Sequence, residues 1–275
     1  MIAKSIGINF ARYCNNGATG VIHSVFTHTV NIELDSSHTK LLTLVCHGLD
    51  LMSCNLEVHD YDFIQNILME VGDKVLLTPD MIYINSIPII KDIKNATRWE
   101  RISNLKISKF RSAVHYTSLM NSCDYVERLL TAKNVQSIEF PKIGIGDFNP
   151  QSVLGLGNGL TPSGDDFLAG MLHGLHFMEI LFEFESVYSR NVEMIILQNM
   201  HRTGSISQHF LSYALNKEWG LRTENFLVCL IKADQVDLIE AVEHKLRTGS
   251  TSGFDELMGC LYGIRQFALL HLNES

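Results

Sequence analysis

The stretch that decides the fold is Leu156–Leu172, LGNGLTPSGDDFLAGML, because most of it returns later in the chain as Ser252–Gly263, SGFDELMGCLYG. The two copies share the pattern S-G-x-D-x-L-x-G-x-L-x-G. Each begins with Ser-x-x-Asp, a spacing at which the serine oxygen and the carboxylate satisfy the N–H groups that a helix start leaves unpaired. Both copies are therefore predicted to open helices.

Within each copy the leucines lie four residues apart, and so do the glycines. That spacing puts each pair on one helix face, and the glycines form a notch where another backbone can approach closely. We expect two helices packed through these notches. If their N-termini lie near one another, the unpaired N–H groups favour anions, which predicts a site for phosphate or a carboxylate.

The composition is that of an ordinary globular protein, with 275 residues of which 46% are hydrophobic. The formal charge of −8 gives no basic surface, so neither nucleic acid nor an anionic membrane is expected as a partner. The most apolar window, Phe167–Phe184, contains His173, His176 and Glu179, which argues against a membrane span. Six cysteines without a C-x-x-C pair, and no signal-like leader, indicate reduced thiols and a cytoplasmic protein.

The two halves of the chain differ in their hydrophobic pattern and in their use of proline. In the front part, apolar Val30, Ile32 and Leu34 alternate with polar residues, and residues 41–46 and 81–90 are short apolar runs, which predicts an antiparallel sheet or small barrel. No proline follows Pro162, so the later part is expected to be helical. The predicted fold class is α+β, with a β-rich domain over 1–95 and a mainly α-helical domain over 96–275. Helices are predicted near 118–133, 188–217, 221–232 and 234–247.

The two signatures together resemble the AllH family, which includes a subunit of bacterial oxamate carbamoyltransferase. The first motif is carried by Gly155, Gly157, Gly159, Leu160, Thr161, Pro162, Ser163, Asp165, Asp166, Leu168, Gly170, Met171 and Leu172. The second is carried by Gly249, Thr251, Ser252, Gly253, Asp255, Leu257 and Gly259. Between them, Thr203, Ser207, Leu211, Tyr213 and Ala214 resemble a weaker helical motif of the family.

The resemblance implies a role in allantoin and purine degradation, in which oxalurate and phosphate give oxamate and carbamoyl phosphate. It also implies that other subunits of a transferase complex are needed. A second interpretation is a non-catalytic scaffold or ligand-binding subunit of such a complex. The exact substrate stays open, because the family extends beyond this single reaction.

The candidate binding residues are those at the two helix entrances. Glycines before a helix can let backbone N–H groups surround a phosphate, although a tight turn explains them as well. Hydroxyl groups there can bind anionic oxygens or cap the helix. The predicted substrate or phosphate-binding set is Gly157, Asn158, Gly159, Thr161, Ser163, Gly164, Arg247, Thr251, Ser252 and Gly253.

The candidate catalytic residues are three carboxylates, Asp165, Asp166 and Asp255. Asp166 and Asp255 occupy the capping position of their copies, so a structural role also explains them. Asp165 matches Phe254 in the second copy, and the cap does not require it. It could act as a general base, or Asp165 and Asp166 could hold Mg²⁺ through water; no cofactor is certain.

Three arginines are candidates for an anionic substrate, because guanidinium groups pair bidentately with carboxylate or phosphate. Arg247 ranks first since it stands beside the second signature, ahead of Arg202 and Arg265. His173 and His176 could share a helix face, but their apolar surroundings favour positions in the core or at a helix interface.

Overall fold

The computed structural model describes residues 1–59, 69–133 and 148–271, without the side chains of 37–40, 105 and 113. The chain divides into two compact units, Met1–Arg101 and Ile102–Ser275. The first unit is the predicted β-rich part, and the second is the predicted helical part.

Over its described residues, the front unit is a nine-stranded, curled sheet with the order β8-β7-β6-β2-β3-β4-β5-β1-β9. Its strands are β1 Ala3–Gly7, β2 Thr19–Val25, β3 Thr29–Leu34, β4 Ser37–Cys46, β5 Asn55–Val58, β6 Lys74–Leu77, β7 Met81–Ile84, β8 Ile87–Lys91 and β9 Thr97–Trp99. Helix α1, Ile8–Asn15, follows β1. The β-rich front is as predicted.

The sheet is mixed rather than purely antiparallel. Two neighbouring pairs, β4 with β5 and β1 with β9, run parallel. The expectation of an antiparallel sheet misses these two pairings, because no tight turn connects the strands that they join. Strand β9 also extends the sheet past residue 95, the position where the sequence pattern changes.

The alternation in β3 separates two faces of the sheet. Val30, Ile32 and Leu34 are fully buried on the apolar face. On the other face Asn31 lies opposite Thr43, whose hydroxyl donates to the Asn31 side-chain oxygen at 2.8 Å. Both polar residues are buried, and this bond satisfies part of their hydrogen-bonding capacity.

The second unit contains eight α-helices among the described residues. They are α2 Asn104–Ser108, α3 Tyr116–Ala132, α4 Ser163–Phe182, α5 Val187–Asn199, α6 Ser205–Leu215, α7 Leu221–Lys232, α8 Gln235–Leu246 and α9 Ser252–His271. Helices α3, α7 and α8 match the predictions within two residues. The helix predicted over 188–217 is divided into α5 and α6 by a short 3-10 turn, Met200–Arg202, and by Thr203 and Gly204.

The two sequence copies open helices as predicted, α4 from Ser163 and α9 from Ser252, although Ser163 is the first residue of α4 and not its N-cap. Their glycines pack backbone against backbone. A methyl group placed on Gly170 would lie 2.0 Å from the Glu256 carbonyl oxygen, and one on Gly259 would lie 2.0 Å from that of Phe167. The predicted glycine notches therefore face the partner helix.

The order of these contacts shows how the two helices run. Gly170 meets Glu256 near the beginning of both helices, and one turn later Gly174 meets Cys260. The contacts advance in the same direction along both chains, so α4 and α9 are parallel. Their N-termini therefore lie at the same end of the pair, and their positive dipole ends add there.

Around this pair the helical unit forms one hydrophobic core, which includes Trp219, Phe177, Phe226 and Phe267. His173 and His176 are buried on α4, as the sequence indicated. Within the described ranges, no helix is both long and apolar enough to cross a membrane.

Candidate functional site

The two helix starts meet through hydroxyl groups. The Thr161 hydroxyl lies 3.2 Å from that of Ser252 and donates to Asp166 Oδ2 at 3.0 Å. The Ser252 hydroxyl is also hydrogen-bonded to the Asp166 carboxyl group. We call Thr161, Asp166 and Ser252 the helix-start cluster. It joins the entrances of α4 and α9, so the two segments predicted to converge are in contact here.

The glycine-rich loop in front of α4 has a backbone that only glycine adopts readily. Gly155, Gly157 and Gly159 have φ angles of 75°, 119° and 107°. A methyl group on Gly157 would also lie 2.8 Å from the Ser163 nitrogen. Loop residues 156–160 are exposed, and Leu156 and Leu160 present apolar side chains to solvent.

Some of the N–H groups predicted to bind an anion are already used by the protein. Gly164 N–H donates to the Leu156 carbonyl at 2.8 Å, and Gly253 N–H donates to that of Thr248 at 2.9 Å. In the described part of the chain, the N–H groups of Gly157, Asn158 and Gly159 donate to no protein acceptor. The donors left for a ligand on the first copy are therefore concentrated in the exposed loop.

The two adjacent aspartates have different surroundings in the structure, and their catalytic role stays a prediction. The N-cap of α4 is Pro162, so Ser163 is not the cap that the predicted capping box requires, and Asp166 does not lie three residues after the cap. The helix begins one residue earlier than the capping box requires, which moves Asp165 into the position three residues after the cap. Asp165 is 2% exposed and accepts the Gly155 N–H at 2.7 Å and the Thr203 hydroxyl.

Asp165 is thus a structural clamp that joins the glycine loop and the turn before α6 to the start of α4. Thr203, which lies in the weaker motif between the two signatures, donates this bond to Asp165. Asp255, the equivalent of Asp166 on α9, is fully buried, and its backbone N–H donates to the Thr251 carbonyl at 2.9 Å.

Asp166 is the unusual acid of the site. Burial, together with the negative charges of Glu256 and Asp255, raises the pKa of Asp166 to about 7. The hydrogen bonds from Ser252 and Thr161 act in the opposite direction and do not cancel the increase. A carboxyl group of this kind exchanges its proton near neutral pH.

Glu256, which the sequence reasoning did not single out, lies at the centre of a buried ionic network. Its Oε2 atom is 2.6 Å from Lys245 Nζ, and its Oε1 atom accepts the Thr223 hydroxyl at 2.6 Å. His173 Nδ1 lies 3.1 Å from the same Oε1. We call Glu256, Lys245, Thr223 and His173 the Glu256 network.

The network fixes the charge of Glu256. Burial alone would raise its pKa, but the Lys245 ammonium and His173 hold that pKa far below the usual range. Lys245 is itself only 3% exposed. A sequence signal was available, because Lys245 continues the buried face of α8 formed by Leu238, Ala241 and Val242.

The predicted arginines do not supply this buried cation. Arg265 pairs with Asp124 and Glu127 on α3 at 2.6 Å and 2.7 Å, which argues against its use for substrate. Arg202 donates to the Gln151 carbonyl at 2.9 Å. Arg247 is exposed at the end of α8, and its part in binding stays a prediction.

The two candidate magnesium ligands have separate partners. Asp165 accepts hydrogen bonds from Gly155 and Thr203. Asp166 accepts one from Thr161, within the helix-start cluster. Over the described ranges, no group of three His, Cys, Asp or Glu side chains is placed to hold a metal ion. His176, the second histidine considered, contacts Glu193 at 2.5 Å. Binding of Mg²⁺ stays an untested prediction.

Comparison with known proteins gives matches at the level of families. The family model described as oxamate carbamoyltransferase subunit AllH matches residues 153–264, and the AllH family N-terminal domain matches residues 2–98. No curated protein and no solved structure matches the chain. The first match covers both helix starts and the Glu256 network, and the second covers the curled sheet. Since the two matches together span most of the sequence, the chain belongs to the AllH family.

Proposed function

We propose that this chain contributes a substrate-binding site to a carbamoyltransferase, and that the site lies at the joined N-termini of α4 and α9. The family description supports a carbamoyltransferase subunit. The observation that carries the location is the contact of Thr161 with Ser252, which brings hydroxyl groups from both sequence copies to the positive ends of two parallel helices.

The reaction we propose is the one that the family resemblance implies, from oxalurate and phosphate to oxamate and carbamoyl phosphate. Both substrates are small anions. The N–H groups of Gly157, Asn158 and Gly159 are donors for their oxygens. The hydroxyls of Thr161 and Ser252 bond to Asp166 in the ligand-free protein, so they donate to a substrate only when they turn away from that carboxyl group. Asp166 does not rule out an anion, because a carboxyl group with a pKa of about 7 is partly protonated at neutral pH.

A second candidate function, a scaffold for catalytic partner subunits, is favoured by a different observation. The Gly164 and Gly253 N–H groups are occupied by protein carbonyls, and the helical glycines are used for packing. Leu156 and Leu160 also leave apolar surface beside the helix starts. In this interpretation the signatures build a rigid platform, and the substrate binds on another subunit.

Reconstitution with the candidate partner subunits distinguishes the two functions. Phosphate-dependent formation of oxamate is measured for the chain alone, for the partners alone and for the assembled complex. Calorimetry of each with phosphate, carbamoyl phosphate and oxamate, with and without Mg²⁺, measures ligand binding directly.

The variant Thr161→Val tests the location of the site, with Thr131→Val as its matched control. Thr131 is an exposed threonine whose hydroxyl donates to the Glu127 carbonyl on α3. We expect anion binding to weaken at least about tenfold in the first variant only, which corresponds to one lost hydrogen bond. An active complex in which both variants bind ligand normally supports the scaffold instead.

A further inference from the structure

The front unit contains a cluster of ionisable side chains that the proposed function does not use. Lys4 lies on β1, His47 follows β4, and Glu57 lies on β5. Lys4 Nζ is 3.3 Å from Glu57 Oε1, and His47 Nδ1 is 2.7 Å from the same oxygen. Lys4 Nζ also contacts His47 Nδ1. We call Lys4, His47 and Glu57 the front cluster.

The front cluster depends on a β-bulge in β1. Between Ala3 and Ser5, β1 advances two residues while β5 advances one, so Lys4 is the extra residue. Consecutive residues of a regular strand point to opposite faces of a sheet. At this bulge, however, Lys4 and Ser5 both hydrogen-bond to the Glu57 carboxylate. The bulge therefore brings a cation and a hydroxyl group to the same acid.

Glu57 is the buried member of the cluster. Its side chain is 9% exposed, whereas those of Lys4 and His47 are 31% and 36% exposed. Glu57 Oε1 also accepts the Gly48 N–H at 3.1 Å. Burial acts to raise the pKa of Glu57, but the bonds from His47, Ser5 and Gly48 hold that pKa below its ordinary value, and the Lys4 charge contributes least. The carboxylate is thus stabilised mainly by groups other than Lys4.

We infer that the front cluster is a binding site for a small oxyanion, a phosphate or a carboxylate, which bonds to the Lys4 ammonium and to the His47 imidazole. Glu57 is a positioning residue in this site, because it holds both nitrogens from beneath and is itself buried. The inference adds a second binding site to the chain, and it does not depend on the reaction proposed above.

The first step of the argument is that the Lys4 ammonium has donors to spare. An ammonium group has three N–H donors. The acceptors that contact Lys4 are Glu57 Oε1 and His47 Nε2, each at 3.3 Å. Both contacts are longer than those that Glu57 makes with His47 and Gly48. The ammonium can therefore turn to an oxygen that arrives from solvent, and Glu57 keeps its other donors.

The second step is the orientation of His47. Its contact with the Glu57 carboxylate assigns the Nδ1 proton to that bond, which fixes the ring and its tautomer. A buried carboxylate behind an imidazole also stabilises the imidazolium form, in which Nε2 donates to a ligand. Lys4 and a protonated His47 carry two positive charges against the one negative charge of Glu57. The front cluster then presents a net positive charge to solvent.

The third step identifies the class of ligand. Lys4 and His47 donate to the same oxygen, and their nitrogens are in contact. Two donors compete for one acceptor there, and an oxyanion offers each of them an oxygen of its own. A metal ion or an amine would meet the ammonium group instead. Throughout the described part of the chain, no three His, Cys, Asp or Glu side chains are grouped to hold a metal ion.

The test follows His47 in the full chain by nitrogen-15 NMR of labelled histidine rings, with His47→Gln to assign its signals. Phosphate and acetate are titrated separately at one fixed pH, and NaCl is titrated at the same ionic strengths. We expect a saturable shift of the His47 signals with at least one of the two anions, and no saturable shift with NaCl. A response to phosphate alone or to acetate alone identifies which oxyanion the site accepts.

Lys4→Met should weaken anion binding at His47 by at least about tenfold, because it removes a charge-assisted hydrogen bond. The matched control is Lys94→Met, which removes an exposed lysine that pairs with Asp80 at 3.0 Å in the same unit. The control should leave the titration midpoint unchanged. If the circular dichroism of Lys4→Met is not that of the natural chain, Lys4→Gln takes its place with the same expectation.

His47 signals that respond to NaCl as they respond to both anions would overturn the inference. Equal weakening by Lys4→Met and Lys94→Met would also overturn it. Thr161→Val separates this site from the one proposed at the helix starts, since the His47 shift should persist in that variant. A shift that disappears in Thr161→Val would show that the anion binds at the helix starts and not at the front cluster.

Discussion

Asp165 and Asp166 are neighbours in sequence and differ in what surrounds them. Asp165 is buried against the Gly155 N–H and the Thr203 hydroxyl, which stabilise its carboxylate. The pKa of Asp166 is raised by burial first, and then by the charges of Glu256 and Asp255 on the neighbouring helix. Side chains of adjacent helical residues point about 100° apart, so one step along the chain changes the environment completely.

Replacement of Asp165 by alanine should destabilise the protein. The substitution leaves the Gly155 N–H without its carboxylate partner, and a buried unsatisfied group costs about 1–3 kcal/mol. Urea unfolding followed by circular dichroism measures the change. Asp165→Asn should cost less than Asp165→Ala, because the amide oxygen can still accept from Gly155.

The control for this substitution is Asp234→Ala, which removes the exposed N-cap of α8 and should cost about 1 kcal/mol. A cost for Asp165→Ala no larger than that of the control would show that the clamp does not hold the loop.

Asp166 should make the stability of the protein depend on pH. Its folded-state pKa of about 7 lies above the ordinary value of 3.8, so the folded chain retains this proton to higher pH than the unfolded chain does. Stability associated with the proton is therefore lost as pH rises from about 4 to about 7. Asp166→Asn removes this dependence.

Between pH 4 and pH 8.5, the natural chain should lose about 2 kcal/mol of unfolding free energy that the Asp166→Asn variant keeps. This is about half of the maximum loss that the change in pKa allows, because solvent partly screens the group. Urea midpoints of both proteins at the two pH values provide the measurement. A difference between the two proteins that is the same at both pH values would contradict the raised pKa.

At the scale of elements, the contact between α4 and α9 depends on residues without side chains. Gly170 and Gly174 on α4, and Gly259 and Gly263 on α9, each lie against a backbone atom of the other helix. Parallel packing also brings two positive helix ends together, and the acidic residues in the first turns offset this.

Gly170→Ala should therefore separate the two helices and lower the free energy of unfolding by about 3 kcal/mol, near the upper end for overpacking. A methyl group there would lie 2.0 Å from the Glu256 carbonyl oxygen, which no side-chain rotation can relieve. The control is Gly204→Ala, where a methyl group meets nothing within 4 Å and should cost less than about 1 kcal/mol. Equal thermal shifts for both variants would show that the helices can adjust.

At the scale of the molecule, the helical unit contains its own hydrophobic core. Every residue of that core lies between Ile107 and Phe267. We expect a fragment of residues 102–275 to fold by itself, with helical circular dichroism and a cooperative urea transition. A fragment that lacks a cooperative transition would show that the helical unit needs the curled sheet to fold.

Much of this architecture could be predicted because it depends on local patterns. The repeated Ser-Gly-x-Asp motif predicted two helix starts, and the glycine spacing predicted the packing face, since both follow from the period of one helix. The alternation in β3 predicted the β-rich front for the same reason. The two parallel strand pairs were not predicted, because the relative direction of two strands that no tight turn connects produces no periodic pattern in the sequence.

The sequence by itself determined that helices open near Ser163 and Ser252 and which of their faces meet, because both depend on neighbouring residues. Only the tertiary structure decided the roles within the site. A shift of one residue at the start of α4 made Asp165 the clamp and left Asp166 bonded to Thr161 and Ser252. Three other helices pack around α9, and they bring Lys245, Thr223 and His173 to Glu256. The charge states of groups in such a cluster depend on burial and distance, which the order of residues in the sequence does not specify.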